Sequence, residues 1–385
     1  MSIADSAPAR HNPAVARPSP FHVPIASPQG RLLASVIALL LAWPAPIASA
    51  GGCAFWLDMV RQAHEEQLRM LRPGTTVPWM ASDGRSLELN EWRGTSVSLL
   101  TERIDYDPWL VKRLLDCLDA YWLRCREICG NTPPPDPTKG PFVKGRAIIA
   151  EAVRPASDAP PGQVAERSVP IVAMPGVARV SIGTEALEEL LRGFTNGQPS
   201  VPLGERLPVA IARTFVFFES ELGAATPDRF GPLAGALAFL LAGEVQDSLG
   251  WMVPADARQF DAILTAYRND PQATHATTLA KGIGVSTADA ESLWIAMLLP
   301  LRHASGERDF MRRVWSTLYE CPPAGEADIA VGNLIVSVSA GAKSNLVEAF
   351  RALRFEVSAT TAARVAEALA PRKIDVQKRR SAPRS

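Results

Sequence analysis

Arg213-Thr-Phe-Val-Phe-Phe-Glu-Ser-Glu-Leu-Gly-Ala-Ala225 is the stretch on which the architecture of this chain turns. Its first half is strongly apolar, its second half places Glu219 and Glu221 around Ser220, and Gly223 closes it. The spacing predicts the end of a buried helix running over 207–222, with its carboxylates in the last turn.

Working outward, the C-terminal side is dominated by the helical period. Apolar residues recur three and four apart over about 231–250, 256–269, 286–302, 307–319, 328–340, 343–353 and 358–369. A further helix is predicted over 184–194. The N-terminal side is mixed. Asp107-Pro108 opens a helix by the N-cap preference of Asp and the tolerance of Pro in the first turn. Trp109, Leu110, Leu114, Leu115, Leu118 and Trp122 follow at helical spacing, and Gly130 ends the run. Runs of β character lie at 94–100, 146–153 and 169–182, with turn-rich sequence between them. The fold class is therefore α+β: a small mixed α/β N-terminal subdomain followed by a mostly helical one.

The chain has 385 residues and is 47% hydrophobic, enough apolar material for a real core. Lys+Arg and Asp+Glu are both 40, so net charge gives no reason to expect nucleic acid as a partner. Residues 1–30 are rich in Pro, Ala and Ser and are expected to be disordered. Residues 31–50 pair Arg31 with a short apolar run and end small-x-small at Ala48 and Ala50. That is the form of a secretory signal cleaved after Ala50, or of a retained membrane anchor, and it implies an exported chain. Residues 51–94 read as an N-terminal helical segment and linker, with the helix over 55–71. Residues 371–385 form a basic, disordered tail.

Cys53 follows the cleavage position and offers a second reading as an acylated anchor, so contact with a membrane is confined to it and to 31–50. Cys125 and Cys129, four apart on a predicted helix, share one face. They read as small buried residues or as half of a metal site. His64, His275 and His303 are widely spaced and read as surface or structural. No Gly-x-Ser-x-Gly, Walker or dinucleotide motif occurs.

Zinc peptidases carry His-Glu-x-x-His on a buried helix, where two His one turn apart bind the metal and the Glu is the general base. With Glu221 in the place of that Glu, the histidine positions fall on Ser220 and Ala224. Glu244 stands about 20 residues further on, in the next long helix. The order of segments over 95–370 resembles the zincin-like metallopeptidases of the gluzincin and M60-like kind. Val331-Gly-Asn-Leu-Ile-Val-Ser-Val-Ser-Ala-Gly-Ala342, Asn345-Leu-Val-Glu-Ala-Phe350 and Leu353-Arg-Phe-Glu-Val-Ser358 are similar to the end of such domains, though Arg354 and Glu356 replace the usual aromatic and proline.

The resemblance implies a zincin-like domain with a degenerate zinc motif. Ser220 and Ala224 are the degenerate positions, Glu244 stands at the third-ligand position, and no metal or other cofactor is expected. It further implies a non-catalytic binding protein that takes peptide or glycan in a degenerate cleft. Two alternatives stay open: an active hydrolase using Glu221 as general base with Glu244 or Asp247 assisting, and a structural envelope protein anchored by residues 31–50.

Overall fold

The computed structural model describes residues 73–80, 86–134, 146–152, 171–173, 175–195, 197, 199–225, 230–251, 258–305 and 309–370. All of them fall in the compact unit that runs from Glu66 to Ser385. The leader, the segment at 31–50, Cys53, the helix at 55–71, His64 and the basic tail lie outside the described residues. The fold is α+β, mostly helical, with one six-stranded mixed sheet.

The strands are β1 (Thr75–Met80), β2 (Ser86–Arg93), β3 (Val97–Thr101), β4 (Ala147–Ala152), β5 (Val172–Ala173) and β6 (Arg179–Gly183), in the spatial order β1-β2-β3-β4-β6-β5. β1, β2 and β3 form an antiparallel meander. β3, β4 and β6 run parallel, and β5 closes the far edge antiparallel to β6. The linker read over the end of 51–94 is corrected here, because β1 and β2 occupy it. Alternation was the available signal: Leu87 and Leu89 point to one face of β2 and Trp92 to the other.

Helix α1 (Pro108–Cys129) joins β3 to β4 and starts and stops where the sequence says. The Asp107 carboxylate accepts from the N–H groups of Trp109 and Leu110, and Gly130 ends the helix at φ 71 with its N–H on the Arg126 carbonyl. One face of the sheet packs Trp92, Val97, Leu99, Ile149, Val180 and Ile182 into the main core beneath α1. The other face gathers Trp79, Leu89, Leu100 and Ala150 into a smaller cluster, and the Arg179 guanidinium lies 4.2 Å from the Trp79 ring centroid.

A second device ties α1 to the sheet. The buried Asp119 carboxylate accepts from the backbone N–H groups of Thr95 (2.6 Å), Ser96 (2.7 Å) and Val97 (2.9 Å). The turn between β2 and β3 is wrapped around it. Gly94 is required there, since a Cβ would stand 2.7 Å from the Asp119 carboxylate.

The helical part comprises α2 (Thr184–Gly193), α3 (Arg206–Thr214), α4 (Glu219–Leu222), α5 (Phe230–Leu249), α6 (Arg258–Asn269), α7 (Thr287–Ser305), α8 (Phe310–Glu320), α9 (Ala327–Ala342), α10 (Val347–Ala352) and α11 (Ala359–Leu369). A 3-10 turn, Gly223–Ala225, follows α4, and a π-helical turn, His275–Ala280, follows α6. Helices α5, α7 and α9 are apolar on nearly every side and form the centre, with α5 on α7, α8 on α9, α3 on α5 and α9 on α11 as the main contacts. None of the described helices is long and apolar enough to cross a membrane.

The single helix over 207–222 is corrected. Helix α3 stops at Thr214, and α4 starts at Glu219. Phe215 and Val216 make tight turns back onto Ala212 and Arg213, and the Trp315 indole N–H donates to the Phe215 carbonyl at 3.2 Å. Phe215, Val216 and Phe218 are all fully buried. The break lets these side chains reach different parts of the core, and Trp315 satisfies a carbonyl that the helix no longer uses.

Candidate functional site

The end of α1 and one face of α8 build a concavity. The last turn of α1 contributes Glu127, Ile128, Cys129 and Gly130, and α8 contributes Arg312, Ser316 and Tyr319. Spacings of four and three put the α8 residues on one face. Together they line an open depression of about 470 Å³. Tyr319 is 44% exposed, large for an aromatic ring, and burial of its hydroxyl end pushes its pKa to about 12. Its ring rests edge-on against Phe218 at 5.2 Å and tilted against Phe217 at 5.9 Å. Phe218 in turn meets Trp315 at 5.5 Å. The aromatic wall of the depression is thus continuous with the break that leads into Glu219, Ser220 and Glu221.

Behind the depression stands Glu244. It is 3% exposed, and its Oε2 accepts from the Met311 N–H at 2.8 Å, in the first turn of α8. Asp309, the N-cap residue of α8, makes no side-chain cap bond, so Glu244 satisfies one of the open N–H groups of that helix. Its Oε1 has no partner. Burial pushes its pKa up to about 7, while the Met311 N–H and the charges of Arg302 and Arg313 pull the other way.

The degenerate motif lies elsewhere. Ser220 is exposed, and its carbonyl accepts from the Ala324 N–H. Glu221 is half-buried; its carbonyl accepts from the Asn333 amide, and its charge is felt at the Cys321 thiol. Ala224 is half-buried against the main core, in the 3-10 turn. Asn333 also bonds the Pro322 carbonyl and accepts from Arg364, so this locality fastens α4 to α9 and α11. Asp247, at the exposed end of α5, pairs with Arg302.

An exposed hydroxyl and a methyl group do not fit zinc, which takes His, Cys or carboxylate donors. Among the described residues no three His, Cys, Asp or Glu side chains gather as a metal site. His275 is buried, stacked on Phe355 at 4.6 Å, and held well below its ordinary pKa, at about 4, by desolvation. His303 is exposed.

Arg312, Ser316 and Tyr319 were missed in the sequence. The signal was present: an aromatic residue on the polar side of an otherwise clean amphipathic helix.

No family model matches the chain, and no curated protein matches it. Two solved structures from Bacillus anthracis str. Ames are similar: a functionally unknown conserved protein and a functionally unknown conserved protein mutant. The mutant is 12% identical with a TM-score of 0.46, covering 75% of this chain and 52% of its own. The other is 12% identical with a TM-score of 0.47, covering 73% of this chain and 51% of its own. The chain therefore spans about half the length of these neighbours.

Proposed function

We propose that this is an exported, non-catalytic, metallopeptidase-like binding protein that holds peptide or glycan in the depression between α1 and α8. One observation carries the reading: the depression presents an exposed aromatic ring beside polar side chains, and its lining does not include Ser220, Glu221 or Glu244. Glu244 is buried on the Met311 N–H, Glu221 sits beside Cys321, and Ser220 faces solvent. A general base must lie within hydrogen-bond reach of the water it activates and share its site with the groups that stabilise the reaction. Binding asks for less. An open surface with an exposed aromatic ring, a cation, a carboxylate and a hydroxyl offers Tyr319, Arg312, Glu127 and Ser316 to a peptide or sugar.

The test is a binding screen of the mature chain against peptide and oligosaccharide arrays, followed by titration. The expected result is saturable binding, weakened by about 1–3 kcal/mol in Tyr319→Ala, as for an aromatic anchor. Glu221→Gln should leave it unchanged, and mass spectrometry should find the ligand intact. One equivalent of bound zinc with hydrolysis abolished by a chelator would overturn the proposal.

A further inference from the structure

We infer that the carbonyl end of α1 is a seat for a primary ammonium group, and that the ligand of the depression is a peptide presenting a lysine side chain to it. The inference rests on the depression being the binding site and names what enters it. Helix α1 is 22 residues long. A helix leaves its last four carbonyls without an internal partner, and they point out of its C-terminal end, where the backbone dipoles sum to a partial negative charge. In α1 the Arg126 carbonyl is taken by the Gly130 N–H at 2.8 Å. Among the described residues no donor reaches the carbonyls of Glu127, Ile128 or Cys129. Those three residues, with Gly130 in its left-handed turn, are the α1 side of the depression.

The lining suits lysine in three ways. An ammonium carries three N–H donors and no acceptor, which matches open carbonyls at the negative end of a helix, where lysine side chains serve as caps. The half-exposed Tyr319 ring stands in the same depression, and a cation over an aromatic face is attracted by the ring. The wall is more apolar than polar, so it can receive the four-carbon stem of lysine while the charged end meets the carbonyls. A peptide amino terminus brings the same charge without the stem.

The charges of the lining are divided between the two helices. Its one carboxylate, Glu127, belongs to α1, on the side of the open carbonyls. Glu127 is exposed and gives one oxygen to Arg124 at 2.8 Å, which leaves the other for a ligand. The one cation of the lining, Arg312, belongs to α8, where its Nε lies 3.7 Å from the Asp309 carboxylate. An ammonium therefore has a carboxylate, three carbonyls and a ring on its side. An acidic side chain needs donors and finds Arg312, already facing Asp309. A neutral sugar hydroxyl can bond the carbonyls but gains less from the helix dipole than a full charge does.

Calorimetric titration of the full, unaltered chain with Ac-Ala-Ala-Lys-Ala-Ala-NH2, and with the same peptide carrying norleucine for lysine, tests it, because the two differ only in the ammonium. The lysine peptide is expected to bind tighter by about tenfold or more, the joint effect of a helix end and an aromatic face on a cation. The backbone amide signals of Gly130 and Ser316 should shift during that titration. Tyr319→Leu keeps an apolar wall and should shrink the preference for lysine without abolishing it. Equal binding of the two peptides, or no binding of the lysine peptide, overturns the inference. A norleucine peptide with a free amino terminus that binds better than the lysine peptide gives the seat to an amino terminus and overturns lysine. Oligosaccharide binding that depends on Tyr319 separates the two levels: with it, the depression remains the binding site when the ammonium seat fails, and without any ligand both fall.

Discussion

Asp119 fixes the turn that launches β3, and it does so with one carboxylate and three backbone N–H groups. Replacing it with Ala leaves those donors without their partner in a partly buried turn. The expected loss is about 2–4 kcal/mol, read as a lower denaturant midpoint, since an unpaired buried donor costs about 1–3 kcal/mol. Asp119→Asn keeps one acceptor oxygen and should lose less. Asp107, which caps α1, and Asp119 within it differ in how readily the sequence discloses them. Asp107 was legible, because its partners Trp109 and Leu110 are two and three residues away. Asp119 was not, because its partners lie 22 to 24 residues back along the chain, beyond any local pattern.

Among the elements, close helix packing sets different costs at different glycines. A Cβ on Gly341 of α9 would stand 2.6 Å from Val314 and 3.0 Å from Phe310, both core residues of α8. A Cβ on Gly243 of α5 would stand 2.8 Å from the far end of Arg302, which can swing away. Gly341→Ala should therefore destabilise by about 1–3 kcal/mol, the usual cost of overpacking. Gly243→Ala should come out near neutral, because the helix propensity of Ala, worth about 1 kcal/mol, offsets the displacement. Thermal unfolding of the pair reads the difference. The elements themselves were mostly legible. From Thr184 onward the apolar period located α2 and α5 to α9, as well as α11. It failed at 215–218, where Phe215, Val216, Phe217 and Phe218 suit a buried helix and a buried break alike. Only the indole of Trp315, a hundred residues further on, decides between them.

At the scale of the whole molecule, two buried groups oppose each other in their response to pH. Glu244 has a folded pKa of about 7 against an ordinary 4.5, so the folded state holds its proton longer. Its contribution is full below 4.5 and is lost as pH rises towards 7. His275 has a folded pKa of about 4 against an ordinary 6.5, so the unfolded state binds its proton first. Its contribution is full above 6.5 and is lost as pH falls towards 4. Each is worth about 3 kcal/mol at most. Between pH 4.5 and 6.5 the two slopes cancel, and denaturant midpoints should be nearly flat there. Glu244→Gln should leave a stability that rises with pH across that window, and His275→Phe one that falls. Equal slopes in both variants would refute the assignment. The candidate site was legible only in part at this scale. Cys129 stood out by its spacing from Cys125, whereas the depression exists only because the end of α1 meets α8 across the fold. The mixed sheet has a consequence in time. β1 to β3 pair with near neighbours in sequence, but Val97 meets Ala147 only when chain fifty positions apart in sequence has been brought together. Parallel pairing of this kind carries a loop-closure cost that local pairing does not. The antiparallel half of the sheet should therefore gain protection from hydrogen exchange first during refolding, and β4 and β6 should follow when α1 docks.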